Sequence, residues 1–296
     1  MALTGNAKRR VMRVEGRLSE DPESQPDIDI NTPSPARMYD FYLGGTHNYP
    51  ADRAAAKRAL SKVPDGREVA RANRRFLVSS VDYLARNGID QYIDIGAGIP
   101  TSPNVREMAR SIIPHARITY VDNDPDVVAQ NRELLAGLDD GVKAIYGDIR
   151  YPLNMAYDPA LRDAIDFSRP VAVLFVAVLH FLTNGDDPYN SVSVFTHRMA
   201  PGSHVAISHI TSDGTIPGVI STIRQAYAHA SAPAVFRLRK EIEVLFNGLD
   251  LVRPGLVEVS EWRAGNRTQE NSPALRFLAG VGRKRINKPS EGGPAE

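Results

Sequence analysis

The sequence predicts an α/β fold: a Rossmann-like sheet that is mostly parallel, has helices on both faces and ends in an antiparallel edge. Strand-like and helix-like segments alternate from about residue 91 to residue 210, which is typical of parallel strands joined by crossover helices. The uninterrupted apolar run 171–179 suits a central strand covered on both faces. Short strand-like pieces between 249 and 281 predict the antiparallel edge.

A helical segment is predicted ahead of this sheet. Pro50 suits the first turn of a helix over 51–60, and residues 67–86 repeat apolar side chains at helical spacing. The stretch 35–50 holds four aromatic residues and the pair Gly44–Gly45. Two interpretations of it stay open: a helical hairpin that stops at the glycine pair, or a lid over a ligand.

The remaining elements follow from caps and apolar patterns. Asn104 and Glu107 resemble a capping box that begins a helix reaching about residue 113, and Asp124 before Pro125 suits the cap of the next helix. In that helix, residues 127, 128, 131, 134 and 135 are predicted to face inward. The predicted strands are 92–95, 117–121, 142–146, 171–179 and 204–208, and the later helices are 188–199, 216–230 and 238–246.

Composition limits the classes of function. A chain of 296 residues with 42% hydrophobic residues can bury the core of one large domain, or of one domain with an added lobe. The net charge of +1 gives no general attraction to nucleic acid or anionic membranes, and the absence of cysteine excludes disulfides and thiolate chemistry. No apolar run approaches the roughly 20 residues of a membrane span. The expectation is a soluble, cytoplasmic protein without nucleic-acid or membrane partners; its oligomeric state stays open.

Four segments are predicted along the chain. Residues 1–33 are polar and interrupted by prolines, which indicates a flexible arm. Residues 34–88 form the helical cap segment, and residues 89–283 form the ligand-binding domain. The basic and then Pro/Gly-rich residues 284–296 indicate a disordered tail.

The ligand site is predicted at a glycine turn. The apolar strand that contains Asp94 breaks into Gly96-x-Gly98, the form of a buried strand that ends where the backbone approaches a ligand closely. Ligands of parallel α/β sheets bind outside the carboxyl ends of the strands, so the residues that end the neighbouring strands share this site.

Acids end the next two strands. Asp122 suits the hydrogen bonds of ribose hydroxyls, and Asp148 suits the exocyclic amine of adenine. Each acid also has a structural interpretation, because Asp122 and Asp124 stand next to a helix start and Asp148 follows Gly147. With Asp124 assigned to the cap, the order and spacing of the other two acids favour a nucleoside site.

The turn favours a methyl donor over a dinucleotide. The dinucleotide fingerprint requires a third glycine where this chain has Thr101, and it requires a helix N-terminus against the pyrophosphate. Here Pro100 and Pro103 intervene, and the cap at Asn104 comes late. A wider turn of this kind suits S-adenosylmethionine, a ligand that has an amino-acid end and no phosphate.

Four motifs resemble the actinobacterial S-adenosylmethionine-dependent methyltransferase family long catalogued as a domain of unknown function. The resemblance extends from about Pro33 to Arg283, and the chain departs from it at Arg106, where relatives commonly have His. The motifs are Ala36-Arg-x-Tyr39-Asp40-x-x-Leu43-Gly44-Gly45-x-x-Asn48-x-x-x-Asp52, Arg71-x-Asn73-Arg74-x-Phe76, Asp94-Ile95-Gly96-x-Gly98-x-Pro100-Thr101 and Asp122-Asn123-Asp124-Pro125.

The resemblance implies a class I methyltransferase fold that binds S-adenosylmethionine at the strand ends beneath an N-terminal helical lid. It does not supply an acceptor. The cofactor-binding residues that we expect are Tyr39, Gly44, Gly45, Asp94, Gly96, Gly98, Thr101, Asp122, Asn123 and Asp148.

Two histidines are candidates for a catalytic base. His180 follows the fourth strand, and His47 lies in the glycine-rich segment; such histidines are more often structural. Tyr39 and Tyr42 could position an acceptor or contact the sulfonium, although tyrosines in a helix more often pack. No metal site is predicted, because no spacing of His or acidic residues suits one.

Three functions follow from this interpretation. The first is a methyltransferase that acts on a small-molecule acceptor, and the second is a non-catalytic S-adenosylmethionine-binding regulatory protein on the same scaffold. An NAD-dependent oxidoreductase is the third, which the missing third glycine disfavours.

Overall fold

The structure, a computed structural model, describes residues 28–137, 141–263 and 273–285. Most of the predicted flexible arm (residues 1–27) and most of the predicted tail (residues 286–296) lie outside the described residues. Within the described part, no helix combines the length and apolar character that a membrane crossing requires.

An eight-stranded mixed sheet organises the chain, and the predicted α/β class is confirmed. Its order is β3-β2-β1-β4-β5-β8-β6, and β7 pairs with β8 outside this path. The first five strands run parallel, and β8 runs antiparallel to β5. The strands are β1 (Gln91–Ile95), β2 (Arg117–Asp122), β3 (Val142–Tyr146), β4 (Ala172–Val176), β5 (His204–Thr211), β6 (Leu249–Leu251), β7 (Val257–Glu258) and β8 (Arg276–Lys284).

Helices cover both faces of the sheet, and three of them precede it. Pro50 begins the second helix, and Gly44 ends the first in a left-handed conformation, so the predicted hairpin forms. The helices are α1 (Pro35–Leu43), α2 (Pro50–Leu60), α3 (Gly66–Arg86), α4 (Val105–Arg110), α5 (Pro125–Leu134), α6 (Pro152–Ala156), α7 (Pro159–Ala164), α8 (Pro188–Arg198), α9 (Pro217–Ala226) and α10 (Arg239–Val244).

Local hydrogen bonds begin the two helices nearest the strand ends. The side chain of Asn104 accepts from the Glu107 amide while Glu107 accepts from the Asn104 amide, which is the predicted capping box. Asp124 caps α5 by accepting from the Asp126 amide, as predicted. These contacts fix the loops after β1 and β2.

The fourth strand is shorter than predicted. β4 ends at Val176, Ala177 takes a left-handed φ of 57°, and Leu179–Phe181 forms one 3₁₀ turn. The apolar run continues through the break because Val176, Ala177 and Val178 are partly buried and pack against the two cores, so hydrophobicity does not mark the end of the strand. The hydroxyl of Ser208 accepts from the Ala177 amide at 2.9 Å and holds the break in place.

Other boundaries differ from the predictions. β5 extends to Thr211 because it pairs with β8 along its whole length. α4 ends at Arg110, and α9 and α10 are shorter than predicted at both ends. The prediction that Leu134 faces inward is wrong, since its side chain is 47% exposed.

Two apolar cores lie between the sheet and the helices that cover its two faces. One core packs α1, α2, α3 and α9 on one face, where Phe76 meets Trp262 edge to face at 5.3 Å between ring centroids. The other packs α6, α7, α8 and α10 on the opposite face, with Phe175 against Phe195. The first three helices therefore belong to the core and also stand over the carboxyl ends of the strands.

Candidate active site

A cavity of about 670 Å³ lies at the carboxyl ends of the parallel strands, beneath the first three helices. Sites for cofactors and small molecules usually measure about 300–1,000 Å³, so this space suits a ligand of that class. Nine of the twelve residues predicted for the site line it: Tyr39, Asp94, Gly96, Gly98, Thr101, Asp122, Asn123, Asp148 and His180.

The glycine turn after β1 requires its glycines. Gly96 and Gly98 have φ values of 70° and 66°, a region that other residues rarely adopt. A Cβ atom on Gly96 would lie 2.5 Å from a methyl group of Val178, so the turn also packs closely against the segment after β4. The amide of Gly96 donates to the carbonyl of Val121 at 2.8 Å, which ties the turn to β2.

Asp122 joins the first two loops of the cavity. Its carboxylate accepts from the amide of Gly98 at 2.9 Å and from the amide of Asp124 at 3.0 Å. Burial raises its pKa to about 6, against the effect of these amide donors. Each carboxylate oxygen keeps acceptor capacity, because an ionised carboxylate has about four acceptor positions.

Asp94 and Arg74 bring opposite charges to the same wall. No described residue hydrogen-bonds to the side chain of Asp94, and burial raises its pKa to about 7 although the charge of Arg74 lowers it. Arg74 donates to the carbonyl oxygens of Thr101 and Pro103, and its Nε is buried without a partner among the described residues. A buried polar group without a partner requires an explanation, and a zwitterionic ligand would supply one for both side chains.

Asp148 has partners within the protein. Arg150 donates from its Nε to both carboxylate oxygens at 2.9 Å, and its amide donates at 3.0 Å. Burial tends to raise the pKa of Asp148, but the hydrogen bonds from Arg150 and Asn123 hold it below its usual value. An adenine amine would therefore meet a carboxylate whose orientation is already fixed by Arg150.

A buried ion pair connects the helical cap segment (residues 34–88) to the side of the cavity where Asp122 lies. The Nε of Arg37 donates to Asp52 at 2.9 Å, and the amides of Ser34 and Tyr49 donate to the same carboxylate at 2.8 Å. Arg37 also lies 3.4 Å from Asp124, to which the hydroxyl of Ser34 donates at 2.8 Å. This set of contacts attaches α1 and α2 to the loop that follows Asp122.

A second polar chain attaches α1 to α3 and to the break after β4. Tyr39 donates to the carbonyl of Ala70 at 3.0 Å and accepts from Asn73 at 2.9 Å. Asn73 accepts from Ser208, which holds the Ala177 amide. The hydroxyl of Tyr39 is therefore engaged in hydrogen bonds within the protein.

Three predicted residues lie away from the cavity. Gly44, Gly45 and His47 are exposed, and none of them lines it. Gly44 ends α1 at φ 90°, and a Cβ atom on Gly45 would lie 1.9 Å from an oxygen of Asp40. The structure does not place these three residues at the cavity: the glycine pair forms the turn after α1, and His47 lies exposed beyond it.

His180 lies deep in the cavity wall, on the 3₁₀ turn after the break. Its ring centroid is 4.4 Å from that of Phe181, 5.5 Å from that of Phe277 and 5.5 Å from that of His209. Burial, and then the neighbouring His209 and Arg237, lower its pKa well below the usual value. The imidazole is therefore neutral at physiological pH.

Sequence reasoning gave no individual role to Asn73, Arg74, Arg37 or Arg237. A signal was available for Asn73, which stands in the apolar stripe of α3 and is 1% exposed; a polar residue in such a stripe usually has a buried partner. No comparable signal marks Arg237. Within the described residues, no cluster of three or more His, Asp or Glu could hold a metal ion.

Comparisons with known proteins agree with this geometry. Residues 21–285 match the family described as S-adenosyl methyltransferase. A candidate methyltransferase from Thermobifida fusca is 36% identical, with a TM-score of 0.82 over 90% of this chain and 100% of that one. A DUF574 family protein from Streptomyces avermitilis is 35% identical, with a TM-score of 0.81 over 86% of this chain and 100% of that one. No curated protein matches the chain.

The match covers most of the chain and includes both the cap and the sheet, so it extends well beyond the glycine turn. The strand order and the cavity at the strand ends are those of a class I methyltransferase fold. The chain belongs to the S-adenosyl methyltransferase family, and its cofactor is S-adenosylmethionine.

Proposed function

We propose that this protein transfers the methyl group of S-adenosylmethionine to a small-molecule acceptor. The observation that carries the proposal is that one cavity joins a charged end, with Asp94, Arg74 and Asp122, to an apolar end next to His180. The charged end suits the cofactor, and the apolar end leaves room for a second molecule. Holding two reactants in contact is the main requirement of methyl transfer.

The cofactor roles follow from charge and reach. Asp94 would accept from the ammonium group of the methionine part, and the guanidinium of Arg74, which lines the cavity, would pair with its carboxylate. Asp122 would accept from the ribose hydroxyls. Asp148, already oriented by Arg150, would accept from adenine. The positive φ at Gly96 and Gly98 lets the backbone approach the ligand.

Residues 34–88 serve as a cap in this proposal. The contacts of Arg37 and Ser34 with Asp124 hold α1 next to the proposed ribose site, and the ring of Tyr39 closes the same side. A closed cap excludes water, which strengthens the electrostatic contacts of a charged cofactor. Opening of the cap would require these contacts to break.

Calorimetry with S-adenosylmethionine and with NAD tests the cofactor assignment. We expect S-adenosylmethionine to bind and NAD not to bind. The variant Asp122→Ala should weaken binding about tenfold or more, because it removes a carboxylate that accepts charge-assisted hydrogen bonds. Asp82→Ala, on the exposed face of α3, is the matched control and should bind normally. Binding of NAD alone would overturn the assignment.

Transfer of a labelled methyl group into a metabolite extract tests catalysis. The expected result is a labelled product with the wild-type protein and its loss with Asp122→Ala. Tight cofactor binding without transfer to any metabolite would instead favour the regulatory protein on the same scaffold.

A further inference from the structure

The apolar end of the cavity forms a chamber with aromatic walls. We define this acceptor chamber by the lining residues Tyr42, Phe181, Ile210, Ile223, Tyr227 and Phe277. The hydroxyls of Tyr42 and Tyr227 are 3.4 Å apart, and the rings of Tyr227 and Phe181 are 5.5 Å apart. None of these six side chains carries a charge. The chamber therefore suits an uncharged, apolar molecule.

The chamber is separate from the proposed cofactor contacts. Asp122 ends β2, whereas Ile210 and Phe277 belong to β5 and β8, on the other side of β1 and β4. Neighbouring strands are about 4.8 Å apart, so β2 and β5 are separated by about 14 Å. A cofactor held at Asp122 and Asp94 can therefore leave the chamber to a second molecule.

One polar side chain on the chamber wall has no partner. His180 is 4% exposed, its Nδ1 is buried, and no described residue hydrogen-bonds to either ring nitrogen. Its neighbour His209 differs: Nδ1 donates to the carbonyl of Ile210 at 2.6 Å, and Nε2 accepts from Arg237 at 2.9 Å. His180 is thus the imidazole that is left available for a ligand.

A buried cation, Arg237, lies next to the turn that carries this imidazole. Arg237 is 2% exposed and donates to the carbonyls of Leu179 and Leu182, at 3.2 and 2.9 Å, but no described carboxylate forms an ion pair with it. These bonds hold the 3₁₀ turn that carries His180. The charge of Arg237 opposes a second positive charge nearby, so the chamber disfavours an ammonium group and favours a group that gains negative charge.

We propose that the acceptor is an uncharged phenol whose hydroxyl hydrogen-bonds to His180, and that His180 takes the phenolic proton. This inference rests on the proposed function and adds the class of acceptor. A neutral imidazole next to a cation is a weak base, so it requires an acidic hydroxyl, and a phenol is far more acidic than an alkyl alcohol. The aromatic walls suit the flat, apolar body of such a molecule.

The reaction balances with these groups alone. The phenolic oxygen forms an O–CH₃ bond while the S–CH₃ bond of the cofactor breaks and leaves its electron pair on sulfur. The O–H bond breaks with its electron pair left on oxygen, and the proton moves to His180. The imidazolium then releases the proton to solvent, which the adjacent charge of Arg237 favours.

Binding of two small probes to the wild-type protein loaded with S-adenosylhomocysteine tests the acceptor class. We expect calorimetry to detect binding of 2-naphthol, a neutral phenol. The cation 2-naphthylmethylamine, which is of similar size, should bind at least about tenfold more weakly because its ammonium group adds a positive charge near Arg237. Equal or tighter binding of the amine, or no binding of 2-naphthol to the loaded protein, would overturn the inference. Failure of the protein to bind S-adenosylhomocysteine or S-adenosylmethionine would instead overturn the proposed function.

Formation of 2-methoxynaphthalene, measured by mass spectrometry, tests the role of His180. His180→Phe should lower transfer about 10²-fold or more, which is the usual contribution of a general base, while cofactor affinity stays within about twofold. His204→Phe is the matched control, because His204 is equally buried but does not line the cavity. Unchanged transfer in His180→Phe would contradict the role, and retained cofactor binding shows that the variant is folded.

Discussion

The two ends of the cavity are lined by different kinds of side chain. At the cofactor end, carboxylates and arginines are oriented by backbone amides and by each other, as Asp122 is by Gly98 and Asp148 is by Arg150. At the acceptor end, the walls are aromatic and aliphatic, and no described residue hydrogen-bonds to the imidazole of His180. The charged end therefore suits a charged ligand, because its polar side chains are already oriented by other groups of the protein. The apolar end suits an apolar ligand, which shape, the lack of charged side chains and a single imidazole would select.

The largest effect that we expect concerns the attachment of the cap over the cofactor end. Asp52→Ala removes a fully buried carboxylate and leaves Arg37 buried without its main partner. We expect the free energy of unfolding to fall by about 3–5 kcal/mol, the usual result of breaking a buried pair. Chemical denaturation followed by circular dichroism measures it.

The matched control is Asp82→Ala, which breaks an exposed pair with Arg86 on α3. Such helix-surface pairs contribute about 0.3–0.5 kcal/mol, so this variant should be nearly neutral. Equal losses in the two variants would show that the buried pair does not hold the cap.

A smaller effect is expected on cofactor affinity alone. Arg74→Met should weaken binding of S-adenosylmethionine about 100-fold, because truncating one partner of a buried charge pair costs about 2–5 kcal/mol. Arg71→Met, one helical turn away on the exposed face of α3, should bind normally. Binding of 2-naphthol to the acceptor chamber should persist in both variants. An unchanged cofactor affinity in Arg74→Met would show that Arg74 does not bind the cofactor.

The contact between Gly96 and Val178 links the two ends, and a double-mutant cycle measures it. Gly96→Ala should lower the free energy of unfolding because its Cβ would meet Val178 and because φ is 70°. Val178→Ala should restore part of the loss. The remaining deficit in the free energy of unfolding should be about 1–2 kcal/mol, the cost of the left-handed conformation for a residue with a Cβ atom. Absence of any restoration would show that the ends are not coupled through this contact.

The smallest effect is the pH dependence of the cofactor end. Burial raises the pKa of Asp94 to about 7 and that of Asp122 to about 6, from a usual value of 3.8. A carboxyl with a raised pKa stabilises the fold below its unfolded pKa, and this stability is lost as pH rises through the folded pKa. The ligand-free protein should therefore lose stability between about pH 4 and pH 7.

Cofactor binding should show the opposite trend, because the ammonium group requires the ionised form of Asp94. Affinity should rise by less than about tenfold per pH unit up to about pH 7 and then level off, with proton uptake by the buffer seen in calorimetry. Asp94→Asn should remove the rise between about pH 6 and pH 7 and leave the contribution of Asp122, and binding that strengthens towards acid pH would contradict the prediction.

The predictable parts of the site are those whose partners lie close along the chain. The Asn104 cap, the Asp124 cap and the Gly96-x-Gly98 turn depend on contacts within a few residues or on one strand end, so their residue types reveal them. The sequence did not decide the role of Gly44 and Gly45, because a glycine pair suits both a helix end and a lid. The end of β4 was misplaced because the apolar pattern continues past Ala177.

The polar contacts that shape the cavity were not predictable. Ser208 and Asn73 are 135 residues apart, Arg37 and Asp124 are 87 apart, and Arg237 reaches Leu179 across 58 residues. The members of each pair belong to different elements, which only tertiary packing brings together. A single side chain at such a position carries no local pattern that names its partner.

The sequence by itself determined the alternation of strands and helices, the glycine turn and the acids at the strand ends, because periodicity and strand-end chemistry are local properties. Only the tertiary structure decided that His180 has no hydrogen-bond partner among the described residues, that Arg237 bonds to its neighbour His209 and that His47 does not line the cavity. Burial and charge neighbourhood depend on elements far apart in the chain, so they exist only once the chain has folded.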